Sequence, residues 1–114
     1  MEISPEMQQQ IRQLQEADQQ ARILLSQKYQ FELQVKEMQR ALDELDKDPK
    51  AEVHRVVGQI LIKSDAKSTS AELKEKIEAL EVRLKALEKQ EDKLKEKAKS
   101  LQDRLQGVIP SAGD

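Results

Sequence analysis

From Met7 to Leu45 the chain places its apolar side chains at alternating spacings of three and four residues. One set is Met7, Leu14, Ala21, Lys28, Val35 and Leu42, and the other is Gln10, Ala17, Leu24, Phe31, Met38 and Leu45. That alternation is the narrow seam of a coiled coil rather than the broader stripe of a helix lying on a globular core. The stretch Ser4-Pro5-Glu6 marks its start. Serine caps, proline suits the first helical position, and an acidic residue suits the positive end of the dipole. Asp48-Pro49 ends the run, because proline disfavours helix in the residue before it. A second seam follows, with Leu73, Leu80, Leu87, Leu94, Leu101 and Val108 in one set and Ile77, Leu84, Glu91, Ala98 and Leu105 in the other. Thr69 and Glu72 have the spacing of a capping box at its start, and Gly107 with Pro110 reads as its stop. Glu72–Lys76, Glu81–Lys85 and Glu91–Lys95 stand in the favourable acid-before-base order along this helix.

Between the helices the period shortens. Val53-His54-Arg55-Val56-Val57 and Gln59-Ile60-Leu61-Ile62-Lys63 flank Gly58, the pattern of a β-hairpin. The second run carries apolar groups on both faces, and an isolated two-stranded hairpin is marginal in water, so this segment calls for cover from other chains. Val53, Val56, Val57, Ile60, Leu61 and Ile62 are the residues expected to carry assembly. The two helices would be roughly 60 Å and roughly 55 Å long at 1.5 Å per residue. The connection between them is too short to bring the second alongside the first in parallel. The predicted fold is therefore mainly α, an antiparallel two-helix coiled-coil hairpin with a short β-hairpin between the helices. It forms a single domain over 1–114, with helix one at 5–47, the β-hairpin at 53–63, helix two at 70–106 and a tail at 107–114. Each seam has one charged intruder, Lys28 in the first and Glu91 in the second. Folding back antiparallel brings them within one turn of each other. A matched pair sets register, whereas a lone charge on an apolar seam is strongly destabilising.

Composition narrows the chemistry. The chain is 37% charged, with one Tyr, one Phe and no Trp, which suits long helices better than one thick core. Net charge is −2, with both signs spread along the length, so neither nucleic acid nor an anionic membrane surface is an expected partner. The basic stretch Lys89, Lys93, Lys95, Lys97 and Lys99 is interleaved with Glu91, Asp92 and Glu96 and reads as a solvated helix face. There is no cysteine, one histidine (His54) and three glycines. A zinc site, a nucleophile with its base, or a glycine-rich phosphate loop cannot be assembled from that inventory. No catalytic residue, metal or cofactor is expected, and the chain reads as a non-enzyme. No apolar run reaches the ~20 residues of a membrane span, and Met1 to Ile11 lacks a signal peptide's apolar stretch, so a cytoplasmic location is expected.

The chain ends hold the remaining signal. Ile3, Met7, Ile11 and Leu14 lie near the start, with Leu101, Leu105, Val108 and Ile109 near the finish. In an antiparallel hairpin they meet at one tip, and Ile11 and Ile109 fall outside the seam. Apolar groups at such an end are candidates for contacting other polypeptides, and flexible side chains such as methionine adapt to many partners.

The order helix, strand pair around a glycine, helix resembles the beta class of archaeal prefoldin subunits over nearly the whole chain. The resemblance is carried by the Gln-rich opening Met7 to Leu14, by Ala41-Leu42-Asp43-Glu44-Leu45, by Glu52 through Ile62, and by Leu73 through Leu94 with Leu80-Glu81-Val82-Arg83-Leu84 and Gln90-Glu91. His54-Arg55 departs from the Tyr-Lys common in the family. The resemblance implies a hetero-hexamer of two alpha-class and four beta-class subunits, whose strands form a platform bearing six coiled coils. It further implies ATP-independent capture of unfolded polypeptides at the tips and delivery to a group II chaperonin. On the residues alone, a coiled-coil scaffold or tether with one defined partner is the competing reading.

Overall fold

The computed structural model describes residues 3–108, apart from the side chain of Val108. Helix α1 spans Pro5–Lys47, strands β1 and β2 span Val53–Val57 and Ile60–Ser64, and helix α2 spans Ala66–Val108. The Ser4 hydroxyl accepts from the Met7 amide at 3.1 Å, so the expected cap on α1 is in place. The helix stops at Lys47, and a turn through Pro49 and Lys50 is closed by the Ala51 amide donating to the Asp48 carbonyl at 3.0 Å.

Helix α2 begins four residues earlier than the capping-box reading placed it. Asp65 is the cap. One of its carboxylate oxygens accepts from the Ser68 amide at 2.7 Å and the other from the Ser68 hydroxyl at 3.0 Å. A full negative charge at the helix start satisfies an orphan amide and complements the dipole, so it prevails over a threonine one turn later. Thr69 consequently lies inside the first turn, its hydroxyl donating to that of Ser64 at 3.3 Å. Gly107 does not end the helix either: α2 continues through it to Val108. Pro110 lies outside the described residues.

The strands pair antiparallel, with Val53 opposite Ser64, His54 opposite Lys63, Arg55 opposite Ile62, Val56 opposite Leu61 and Val57 opposite Ile60. Gln59, expected in the second strand, sits in the turn. Gly58 has φ 60°, and no other residue among those described has positive φ. A two-residue turn with left-handed backbone only at its first position is the II′ type, whose twist matches that of the strands. Strand β2 therefore starts one residue later and runs to Ser64.

The chain forms two compact units, and each helix contributes to both. Among the described residues, the terminal unit consists of those up to Lys28 together with those from Ala86 onward, and the strand unit is Tyr29–Lys85. In the terminal unit the opening half of α1 lies antiparallel to the closing half of α2 around buried Ala17, Leu101 and Leu105. In the strand unit the buried residues are Leu42, Ala66, Ile77 and Leu80. Every described seam position, from Met7 to Leu45 in α1 and from Leu73 to Leu105 in α2, is buried or half-buried. The 3,4 alternation thus identifies the packed face of both helices.

Candidate functional site

Two surfaces emerge from this architecture, one in each unit. In the strand unit, alternation along β1 and β2 puts Val53, Arg55, Val57, Ile60, Ile62 and Ser64 on one face, and His54, Val56, Leu61 and Lys63 on the other. Both faces carry apolar side chains that the chain itself leaves uncovered. Val56 is 74% exposed, Leu61 68% and Ile60 63%, with Val57 and Ile62 about half exposed. Among the six residues expected to carry assembly, Val53 alone is half-buried. The pair is steadied at its margins by ions: Arg55 Nη1 meets Glu72 Oε1 of α2 at 3.0 Å, and Lys63 Nζ meets Glu52 Oε1 at 3.3 Å. Glu72, read from sequence as part of a capping box, instead holds a strand residue.

The terminal unit brings together the described apolar residues of both chain ends. Their environments differ. Ile3 is 48% exposed, Met7, Ile11 and Leu14 are half-buried, and Leu101 and Leu105 are enclosed in the seam. The side chain of Val108 and all of Ile109 lie outside the described residues. Among the described members, those that meet solvent are Ile3, two residues ahead of α1, and the half-buried Met7, Ile11 and Leu14 of α1.

The charged intruders meet as their spacing predicts. Lys28 Nζ lies 3.9 Å from Glu91 Oε2, and Lys95 Nζ lies 3.0 Å from Glu91 Oε1. The hydrogen bond from Lys95, helped by the nearby charge of Lys28, holds the Glu91 carboxyl below its ordinary range against the opposing effect of desolvation. The same bond raises the Lys95 ammonium above its ordinary value. Glu91 Oε2 is enclosed and has no hydrogen-bond partner, since Lys28 stops beyond bonding distance. The other lysines of the basic stretch, Lys89, Lys93, Lys97 and Lys99, face solvent.

Some apolar surface went unremarked in the sequence. Ile23, Leu25, Tyr29, Leu33 and Val82 are all more than 40% exposed. In the terminal unit an open hollow of about 400 Å³ is lined by Gln20, Ile23, Leu24, Gln27, Gln90, Lys93 and Leu94. The available signal was an apolar residue at a non-seam heptad position, and Ile23 and Leu25 both have it. Arg83 of α2 stacks over the Phe31 ring at 6.0 Å in the strand unit. Among the described residues no cluster of His, Asp or Glu is arranged to hold a metal ion, and no helix is long and apolar enough to cross a membrane.

Comparison with known proteins gives a consistent result. The prefoldin subunit family profile matches residues 8–112. The prefoldin subunit beta of Methanothrix thermoacetophila is 40% identical, covering 98% of this chain and 97% of that protein. The prefoldin subunit beta of Thermococcus kodakarensis is 43% identical, covering 97% of each. The crystal structure of the prefoldin beta subunit from Thermococcus strain KS-1 superposes with a TM-score of 0.88 at 40% identity, over 96% of this chain and 97% of that one. Helices bounding an uncovered strand pair, matched over nearly their full length in sequence and in fold, place this chain in the prefoldin family of chaperone subunits, within its beta class.

Proposed function

We propose that the chain works in an ATP-independent holdase, gripping unfolded polypeptide through the apolar residues of its two ends. The strand pair is the assembly surface in this reading. Val53, Val56, Val57, Ile60, Leu61 and Ile62 join strands of neighbouring subunits, giving a hetero-hexamer of two alpha-class and four beta-class chains. The coiled-coil ends remain free for client. Ile3, Met7, Ile11 and Leu14 make first contact, and Leu101, Leu105, Val108 and Ile109 extend the surface. Each contact is weak, and several subunits acting on one client raise the effective concentration enough to retain it. The captured chain passes to a group II chaperonin in the cytoplasm. One observation supports this division of labour: the apolar chain ends share one compact unit, and the uncovered strands belong to the other.

The test is suppression of aggregation by the complete complex, using several unrelated denatured proteins. Ile3→Ser, Met7→Ser and Ile11→Ser in combination are expected to abolish holding while the complex keeps its mass. A complex that protects a single protein only, or a triple variant that holds clients as well as the parent, would remove the tip-holdase reading and favour a dedicated scaffold.

A further inference from the structure

The packed seam is not uniform along its length. Buried residues occur at Ala17, Leu101 and Leu105 in the terminal unit, and at Leu42, Ala66, Ile77 and Leu80 in the strand unit. From residue 18 to 41 of α1, and from 81 to 100 of α2, seam side chains are only half-buried. Lys28 and Glu91 lie in this stretch, 3.9 Å apart. Glu91 Oε2 has been taken out of water without gaining a hydrogen bond, and the Coulomb attraction of an unbonded pair recovers only part of that desolvation. One turn nearer the chain ends, Leu24 and Leu94 border the open hollow. A layer of this kind holds the helices together less firmly than two leucines would.

Cooperativity between neighbouring segments of a helix pair depends on the packing that links them, and a weak layer divides the pair into segments that open separately. We infer that the Lys28–Glu91–Lys95 cluster is a joint in the seam, built so that the terminal unit opens and recloses without melting the strand unit. Lys95 favours the charged form of Glu91 and orients it through their 3.0 Å bond, so the layer stays ionic. Opening at the joint uncovers Leu101 and Leu105, which the closed seam hides. Their use for client contact rests on the holdase reading above; the joint itself does not.

Hydrogen exchange on the assembled complex, followed by mass spectrometry with no client present, tests the joint. In the parent protein, α2 amides of residues 92–104 are expected to exchange about tenfold or more faster than those of residues 73–84, because segments that open separately differ in opening free energy. Lys28→Leu with Glu91→Leu replaces the layer by apolar packing. It is expected to slow exchange in 92–104 by about tenfold or more, leaving 73–84 unchanged. Lys89→Leu with Glu96→Leu makes the same change in composition at exposed positions and is expected to leave both segments at parental rates. Equal protection of the two segments in the parent, or parental exchange rates in the Lys28→Leu, Glu91→Leu complex, would overturn the inference. Client capture by the same samples is read separately: weaker capture by the slowed variant supports the use of the opened leucines, and loss of capture by the parent speaks only against the holdase reading.

Discussion

Substituting Leu61 tests the strand pair as an assembly surface with little risk to the fold of the chain itself. Leu61 stands opposite Val56 and is 68% exposed, so the single chain draws little stability from it. Full burial of a leucine is worth about 1.5–3 kcal/mol, and covering the exposed two thirds in an assembly returns about 1–2 kcal/mol per copy. Leu61→Ala gives up most of that, which weakens each subunit contact by roughly 5- to 30-fold. Leu61→Lys goes further, because an ammonium forced under the same cover without a partner costs several kcal/mol more in desolvation. Analytical ultracentrifugation or native mass spectrometry, with the partner subunit titrated in, measures the effect. Circular dichroism confirms that helix content is unchanged. The alanine variant is expected to assemble at higher concentration and the lysine variant to stay dissociated. A Leu61→Lys chain that assembles as tightly as the parent would show that this face is not the interface.

Ile77 is 7% exposed in the strand unit, so Ile77→Ala is expected to lower unfolding stability by about 2–5 kcal/mol, while Val82→Ala at a 68% exposed site changes it by less than about 0.5 kcal/mol; urea titration compares the two. Gly58→Val forces a branched side chain to φ 60° and is expected to destabilise the strand pair by about 1–2 kcal/mol or more, with Gly58→Asn milder, read as loss of assembly. If Asp65 is the cap, Asp65→Ala lowers the melting temperature and Thr69→Ala leaves it nearly unchanged; the reverse order would restore the capping box at Thr69. The carboxyls of Glu91 and Asp65 are both held below their ordinary values of 4.5 and 3.8, the first chiefly by Lys95 and the second by the Ser68 amide. Their contribution is complete above those values and disappears as pH falls through the depressed ones. Lys95 behaves oppositely: its contribution is complete below 10.5 and is lost as pH rises through its raised value. Melting temperature against pH is expected to drop at both extremes, and Glu91→Gln to flatten both limbs.

The seam of each helix was readable from the chain alone. A 3,4 alternation sustained from Met7 to Leu45 and from Leu73 to Leu105 leaves only one face able to pack, whatever it packs against. The meeting of Lys28 with Glu91 was equally legible, because two exceptions in opposite seams coincide only in an antiparallel pair. So was the strand pair, since β-branched runs around a glycine admit few other conformations. The start of α2 was not. Asp65 with Ser68 and Thr69 with Glu72 are consecutive cap signals of the same spacing, and the choice went to the charged cap next to the end of β2, with Glu72 drawn away to Arg55. Tertiary structure alone also separated enclosed Leu101 and Leu105 from exposed Ile3, and left the hollow beside Ile23 and Leu94. Periodicity states which side of a helix turns inward. How closely the partner approaches, and what it leaves uncovered, depends on the volumes and charges of side chains contributed by residues far away in the sequence.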